Sequence, residues 1–286
     1  MGRLSKEEAK RHNKALELAA LDRDLTEDEQ EFVLDHFREA ATATHGLDGA
    51  YFTPPGLARA LSIEVSGDRI IDLCAGIGRL AWSCRDHWGR RWNGQPAREI
   101  VCVERNPEYV RIGRKVLPEA TWICADIFDL PDLGHFDTAI SNPPFGAIAR
   151  DGNSPTYSGH KFEYHVISVA AGLARFGAFI IPQHSAPFRY SGEPFYREER
   201  DRECLRFEEQ THIALGPNAG VDTSIYRDEW NGVSPRVEVV VAGFEEVPAP
   251  PQRVDAPRDE KPAVASAPRP ITDVQLPEQG QLDLFA

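Results

Sequence analysis

No apolar run in the 286-residue sequence approaches membrane-spanning length, and the polar start MGRLSKEEAKRHNK lacks the pattern of a signal peptide. No C-x-x-C pair occurs. The five cysteines, Cys74, Cys84, Cys102, Cys124 and Cys204, are odd in number and read as reduced, mostly buried thiols of a cytosolic protein. That excludes a disulfide framework and a zinc site, so no metal is expected. A dense block of lysine and arginine is also missing: 32 basic residues face 45 acidic ones, a net charge of −13. A strongly electrostatic nucleic-acid binder is thereby excluded; any such surface has to be local, and binding weak without help. The remainder, 41% hydrophobic and 27% charged, is ordinary for a soluble globular chain with room for one large α/β domain or two small ones.

Two helices are expected at 4–21 and 26–42, the second with Thr26 as its cap, acids in its first turn and Phe32, Val33 and Phe37 near helical spacing. They read as an N-terminal helical extension, residues 1–45, that caps the main fold without chemistry of its own. From residue 68 strand and helix patterns alternate. DRIIDLCAG, EIVCVER, ATWICAD, FDTAISN, GAFIIPQ, THIALG and RVEVVVAGF are the strands, and GRLAWSCRDHWG, PEYVRIGRKVL and FEYHVISVAAGLARF the intervening helices. Such alternation predicts a parallel, doubly wound α/β sheet. The last two strands lack an obvious helix between them and are expected to pair as an antiparallel hairpin at one edge.

After Glu246 the pattern stops. Residues 248–277 hold eight of the 22 prolines, so 247–280 reads as a disordered Pro-rich tether, leading to the terminal peptide 281–286.

DLCAGIGRLA (72–81) reads as strand, glycine turn and helix. Gly76 and Gly78 permit a tight turn and close backbone approach to a ligand at the helix start. Glu104, 32 residues after Asp72, ends the next strand, where a carboxylate can accept both ribose hydroxyls of a nucleoside; Asp126 closes the third and suits an adenine amine. Three acids at three successive strand ends fit a cationic, adenosine-containing ligand better than a pyrophosphate. The alternative is that they merely cap helices. The fourth strand finishes in SNPPF (141–145), an amide followed by two prolines that cannot donate to a sheet ladder.

Together DLCAGIG, Glu104, Asp126 and SNPPF resemble the class I S-adenosylmethionine-dependent methyltransferases. GAYFTPPGLARAL (49–61) resembles the segment that precedes the glycine loop in N6-adenine DNA methyltransferases of the gamma motif order, type I modification subunits included. The resemblance spans roughly 45–245, and its motif order is more specific than any one motif. It implies a Rossmann-like, seven-stranded, mostly parallel sheet over a catalytic domain of 46–246. It also implies S-adenosylmethionine as cofactor: Tyr51, Thr53, Asp72 and Cys74 would lie by its methionine, Glu104 on its ribose and Asp126 on its adenine. Asn142 and the Pro143 carbonyl would accept hydrogen bonds from the target amine, with Pro144 stiffening the turn and Phe145 stacking on a flipped base.

Arg150 and Lys161, in a Gly/Ser-rich loop at 146–161, are expected near phosphate as that loop closes over substrate. Phe188 and Tyr190, within APFRYSGEPFYREERDR, are expected to contact bases. GVDTSIYR (220–227) resembles the segment lining the target-base pocket. Most sequence-specific members of the family add a sizeable target-recognition domain after the catalytic fold; here that fold is expected to be complete near 245, so that recognition is built from the 146–161 and 184–235 insertions, specificity is relaxed, or a partner supplies it.

QLDLF (281–285) resembles the pentapeptide by which bacterial replication and repair proteins dock into the sliding clamp. Leu282, Leu284 and Phe285 would fill an apolar pocket and Gln281 hydrogen-bond beside it. The expectation is a cytoplasmic, nucleoid-associated DNA adenine-N6 methyltransferase with DNA and the clamp as partners and no membrane. Asn-Pro-Pro-Phe also resembles ribosomal RNA guanine-N2 methyltransferases, and Asn-Pro-Pro-Tyr the release-factor glutamine methyltransferases. A non-catalytic clamp-binding adaptor is the reading from another class, against which Asn142 and the glycines, all intact, argue.

Overall fold

The computed structural model describes residues 4–38, 51–150 and 152–244; the anticipated tether and terminal peptide lie outside the described residues. Both N-terminal helices begin on capping boxes. In α1 (Lys6–Ala19) the Ser5 hydroxyl accepts from the Glu8 N–H while the Glu8 carboxylate accepts from the Ser5 N–H. In α2 (Glu27–His36) Thr26 and Glu29 do the same, as the cap assignment anticipates. This helix stops short of the expected end: Phe37 is already extended, with its side chain turned into the core.

After α3 (Pro55–Leu61), which Pro55 starts from the position where a missing N–H costs nothing, the sheet begins. β1 (Arg69–Leu73) leads through α4 (Arg79–Ser83) and α5 (His87–Trp92) to β2 (Glu99–Glu104). Then come α6 (Pro107–Val116), β3 (Thr121–Cys124), β4 (Phe136–Ser141), α7 (Phe162–Ala171) and β5 (Ala174–Pro182). A short antiparallel pair follows, β6 (Phe188–Arg189) with β7 (Arg197–Glu198), then α8 (Arg202–Thr211), β8 (Gly216–Pro217) and β9 (Val237–Gly243). The main sheet runs β3-β2-β1-β4-β5-β9-β8. β1 to β5 are parallel, while β9 is antiparallel to both neighbours, pairing Ile180 with Val239 and Gly216 with Val241.

The edge differs in detail from expectation. Of THIALG only Gly216 enters a strand, because α8 runs to Thr211 and is closed by His212 at φ 58°. The link from β8 to β9, residues 218–236, is no tight hairpin: it contains a 3-10 helix at Thr223–Glu229 that packs on α3. The central strands read as nearly continuous apolar runs because helices cover both faces. One layer gathers Val166, Ile167 and Ala170 of α7 with Phe179; the other gathers Leu57, Leu61, Leu80, Ile140 and Val239.

α1 and α2 pack on α6 through Ala15, Leu18, Val33, Leu34 and Phe37 against Tyr109, Val110 and Ile112. Trp122 of β3 lies under the same helix so closely that a Cβ added at Gly113 would overlap its indole. Replacing Gly113 by Ala therefore should not give the usual helix gain of about 1 kcal/mol. We expect a loss of about 1–3 kcal/mol, as for other overpacked cores, read as a lowered melting temperature by calorimetry; a raised one would mean that the indole can move aside.

Candidate active site

The strand order reverses between β1 and β4, whose chains leave toward opposite sides of the sheet and open a crevice at their carboxyl ends. Asp72 pairs with Ile140 in register, so the glycine turn and SNPPF emerge side by side, and the Ser141 hydroxyl donates to the Leu73 carbonyl to hold the two ends together. The turn itself is tight: Cys74, Gly76 and Gly78 have φ of 63°, 58° and 94°. Cys74 is the non-glycine among them, a strained position of the kind that gathers at functional sites. A Cβ on Gly76 would approach the Phe52 ring at 3.0 Å.

A cavity of about 410 Å³ lies in this crevice, within the range of small-molecule sites. Tyr51, Cys74, Gly76, Glu104, Asp126, Asn142 and Pro144 line it. An adjoining cavity of about 30 Å³ is lined by Tyr51, Thr53, Asp72, Cys74, Gly76 and Asn142. Gly78 instead caps α4, Pro143 is buried behind the wall, and Phe145 lies half-buried with its ring 6.3 Å from that of Tyr51.

The carboxylates differ. Glu104 takes the Gly76 N–H at 2.9 Å and the Asn106 N–H at 2.8 Å, tying the glycine turn to the start of α6; burial nevertheless raises its pKa. Asp126 accepts the Phe128 N–H at 3.0 Å. Asp72 is fully buried. Its Oδ2 accepts the Ala81 N–H at 3.1 Å, but Oδ1 has no partner. Burial pushes its pKa to about 8, the Ala81 N–H opposing and the Glu104 charge assisting. The Cys74 thiol is pushed up by burial and by the surrounding acids, so it stays protonated and is no nucleophile.

Asn142 is held by its amide nitrogen, which donates to the Tyr51 carbonyl at 2.8 Å and to the Thr53 hydroxyl at 3.0 Å. A carbonyl only accepts, so the nitrogen must face Tyr51 and the oxygen the other way. That oxygen, Oδ1, is buried and has no partner. The Tyr51–Pro55 segment is thus a strap whose chief polar contact is the amide at the end of β4.

Sequence reasoning missed several parts. Phe52 and Tyr109, rings 5.2 Å apart, form one wall of the larger cavity and rest on Phe37, whose ring is 5.8 Å from Phe52 and 5.9 Å from Tyr109. The N-terminal extension is therefore more than a cap: it backs the cavity wall and pairs Asp35 with the buried Arg79 at 2.5 Å. Glu163, wholly buried, accepts the Gly146 N–H at 2.9 Å and the Ser185 hydroxyl at 2.7 Å, fixing the chain after SNPPF.

The expected substrate contacts need correction. Lys161 is buried and paired with Asp201 at 2.6 Å, so its charge does not face a phosphate. Arg150 donates to the Gly159 carbonyl at 2.7 Å and to Asn153 at 2.9 Å, bracing its own loop. That loop is pinned: Tyr157 is 1% exposed among Tyr164, His165 and Phe207, its hydroxyl on Glu203 at 2.9 Å, and the Ser154 N–H is on His165 at 3.0 Å. Phe188 is also core, stacked on Tyr196 at 5.6 Å, and Tyr190 is half-buried against the main core; the exposed rings of the segment are Phe195, at 83%, and Tyr196. Among the described residues no group of His, Cys, Asp and Glu is arranged to hold a metal, and no helix is long and apolar enough to cross a membrane.

The Asp72 carboxyl makes a pH prediction. Its folded pKa is raised above 3.8, so the folded protein holds a proton that the unfolded chain does not, and this contribution is lost as pH rises through about 8. Relative to Asp72→Asn, the ligand-free protein should lose melting temperature steadily from about pH 5 to about pH 8 and level off above it. Parallel curves for the two proteins across that range would show Asp72 already charged.

No protein-family model and no curated protein matches the sequence. Solved structures do. A class I S-adenosylmethionine-dependent methyltransferase from Listeria monocytogenes superposes with a TM-score of 0.53 at 12% identity, covering 84% of this chain and 81% of that one. A type I restriction-modification methyltransferase subunit from Streptococcus thermophilus gives 0.51 at 16% identity, over 76% of this chain and 48% of that one. A type I modification subunit from Vibrio vulnificus gives 0.47 at 12%, over 78% and 51%. The chain spans about half the length of these two subunits. Its seven-stranded sheet, with one antiparallel strand between β5 and the edge, is the Rossmann-like fold of the class I S-adenosylmethionine-dependent methyltransferases.

Proposed function

We propose that the protein transfers a methyl group from S-adenosylmethionine to the N6 amine of adenine in DNA. The observation that carries the reading is Asn142: its nitrogen is committed to the strap, and its oxygen is left as a buried, unpartnered acceptor at the mouth of the crevice. Such an acceptor costs about 1–3 kcal/mol unless something donates to it. An amine does.

The residues present fit the cofactor. The Asp72 carboxyl, whose Oδ1 has no partner, becomes an acceptor once it ionises, and suits an ammonium group whose charge would favour that ionised form. Glu104 and Asp126 keep lone pairs beyond those engaged by backbone N–H groups, and suit ribose hydroxyls and an adenine amine. When bound, S-adenosylmethionine supplies an electrophilic methyl on a sulfonium sulfur. Asn142 Oδ1 and the Pro143 carbonyl accept the two N–H bonds of the target amine and turn its lone pair out of the ring. Pro143, buried and without an N–H, holds its carbonyl stiffly, so the geometry is preorganised rather than assembled during reaction. Phe145 and Tyr51 offer aromatic faces for a flipped base. With the Cys74 thiol kept protonated, transfer is direct, and the amine's surplus proton passes to water.

DNA is supported over other acceptors by the Tyr51–Pro55 strap and by the motif order around it, which resemble the N6-adenine DNA enzymes. The peptide Gln281, Leu282, Leu284 and Phe285 lies outside the described residues. Its sequence supports docking into a sliding clamp, which would raise the local DNA concentration for a chain of net charge −13.

Nucleoside mass spectrometry after incubation with S-adenosylmethionine and either unmethylated DNA or ribosomal RNA should find N6-methyladenine in the DNA alone. Methylated guanine in the RNA would retain the mechanism and discard the substrate. Asn142→Ala should lower the transfer rate by about 10²–10³-fold, as for removal of a preorganised polar group elsewhere, with cofactor affinity nearly unchanged by calorimetry; equal loss of both would overturn Asn142's role. Deleting residues 281–286 should abolish capture by an immobilised sliding clamp and leave methylation of a short duplex unaltered. An inactive truncation would assign the peptide to the fold.

A further inference from the structure

Glu238 interrupts the run Val237–Glu238–Val239–Val240–Val241, opposite Ile181, where an apolar side chain would be expected. It is wholly buried. Burial of a carboxylate is tolerable only when donors surround it, and here they do. Oε1 accepts from Gln183 Nε2 at 2.8 Å, the Tyr190 N–H at 3.0 Å and the Ser191 N–H at 2.9 Å, and Oε2 accepts the Ser191 hydroxyl at 2.6 Å. Three of these four donors belong to residues 190–191, the segment that leaves β6.

The connection continues. The Ser191 oxygen accepts the Thr223 N–H at 2.9 Å, and Thr223 opens the 3-10 helix Thr223–Glu229. At the far end of that helix Glu229 Oε2 accepts the Gly56 N–H at 2.8 Å, in the first turn of α3. Contact there is close: a Cβ on Gly56 would fall 2.5 Å from the Tyr226 ring and 2.6 Å from Glu229. Gly56 directly follows the strap, whose Tyr51 carbonyl and Thr53 hydroxyl set the Asn142 amide.

We propose that Glu238 is a positioning residue for methyl transfer, acting through Ser191, the 3-10 helix and the strap to hold Asn142 in its working orientation. It touches neither substrate nor cofactor. Its effect on turnover rests on the function proposed above; its effect on the strap does not. Loosening the relay lets the strap drift, and a displacement of about 1 Å far from the reacting atoms is enough to cost up to about 10²-fold in rate.

Glu238→Gln places an amide in a ring of donors, and Ser191→Ala removes only the hydroxyl that joins Glu238 to Thr223, so it tests the relay even where the first variant folds poorly. Hydrogen exchange of the full-length variants should show faster exchange in peptides covering 51–60 and 223–229, with β1 and β2 unchanged. Both variants should lower the turnover number about tenfold or more, in line with lost preorganisation, while the Kd for S-adenosylmethionine stays within about threefold. Combined with Gly56→Ala, which wedges the same contact, Ser191→Ala should add little further loss, because the two act on one path. Faster exchange confined to 183–192, or rate losses that multiply in the double variant, would overturn the relay. A wild type that methylates nothing but whose strap loosens in both variants would sink the functional reading and leave the relay standing.

Discussion

Two parallel strands, β1 and β4, lie side by side while their connections depart in opposite directions, and nearly everything about the site follows from that. Among the described residues no helix crosses their carboxyl ends, so the chain leaving each turns at the rim of an open crevice. The glycine turn does so with three residues at positive φ, SNPPF with two prolines. The Ser141 hydroxyl on the Leu73 carbonyl keeps the two exits from separating. Everything else at the site is arranged around that fixed pair.

The crevice is walled by elements that are remote in sequence. α1 and α2 set Phe37 behind Phe52 and Tyr109; the strap crosses the mouth and is held by Asn142; Glu163 fixes the chain after SNPPF. Buried polar groups in this region are mostly satisfied, which makes the exceptions informative. Asp72 and Asn142 both line the small cavity, and the Oδ1 of each lacks a hydrogen-bond partner. Unpartnered buried polar atoms beside one space mark a place that a ligand could satisfy, and such local destabilisation is the kind that folds retain at binding sites.

The alternation of strands and helices, the caps at Ser5 and Thr26, the glycine turn and the strand ending at Asn142 were legible because each is local. A period of two residues, a period of 3.6 and the chemistry of a turn all leave their trace within about ten residues of chain. The short β8 was less so, since the apolar Ile213 and Leu215 that resembled a strand are buried just after α8 without pairing in the sheet. The segment 146–161 misled in the same way: its Gly and Ser content suggested a lid, but one buried tyrosine and a few polar bonds to α7 and α8 pin it.

By itself, then, the sequence determined the α/β class, the order of the elements and the set of residues at the strand ends, because backbone propensity and hydrophobic period act between near neighbours. Tertiary structure alone decided which way the Asn142 amide points, since the Tyr51 carbonyl that orients it lies 91 residues away. It also decided that Lys161 is paired with Asp201 instead of exposed, and that Glu238 can sit inside a sheet among donors from Gln183, Tyr190 and Ser191. Whether a charged or polar side chain is a surface group, a buried hub or a reactive acceptor depends on which distant partners fold onto it, and no local pattern records them.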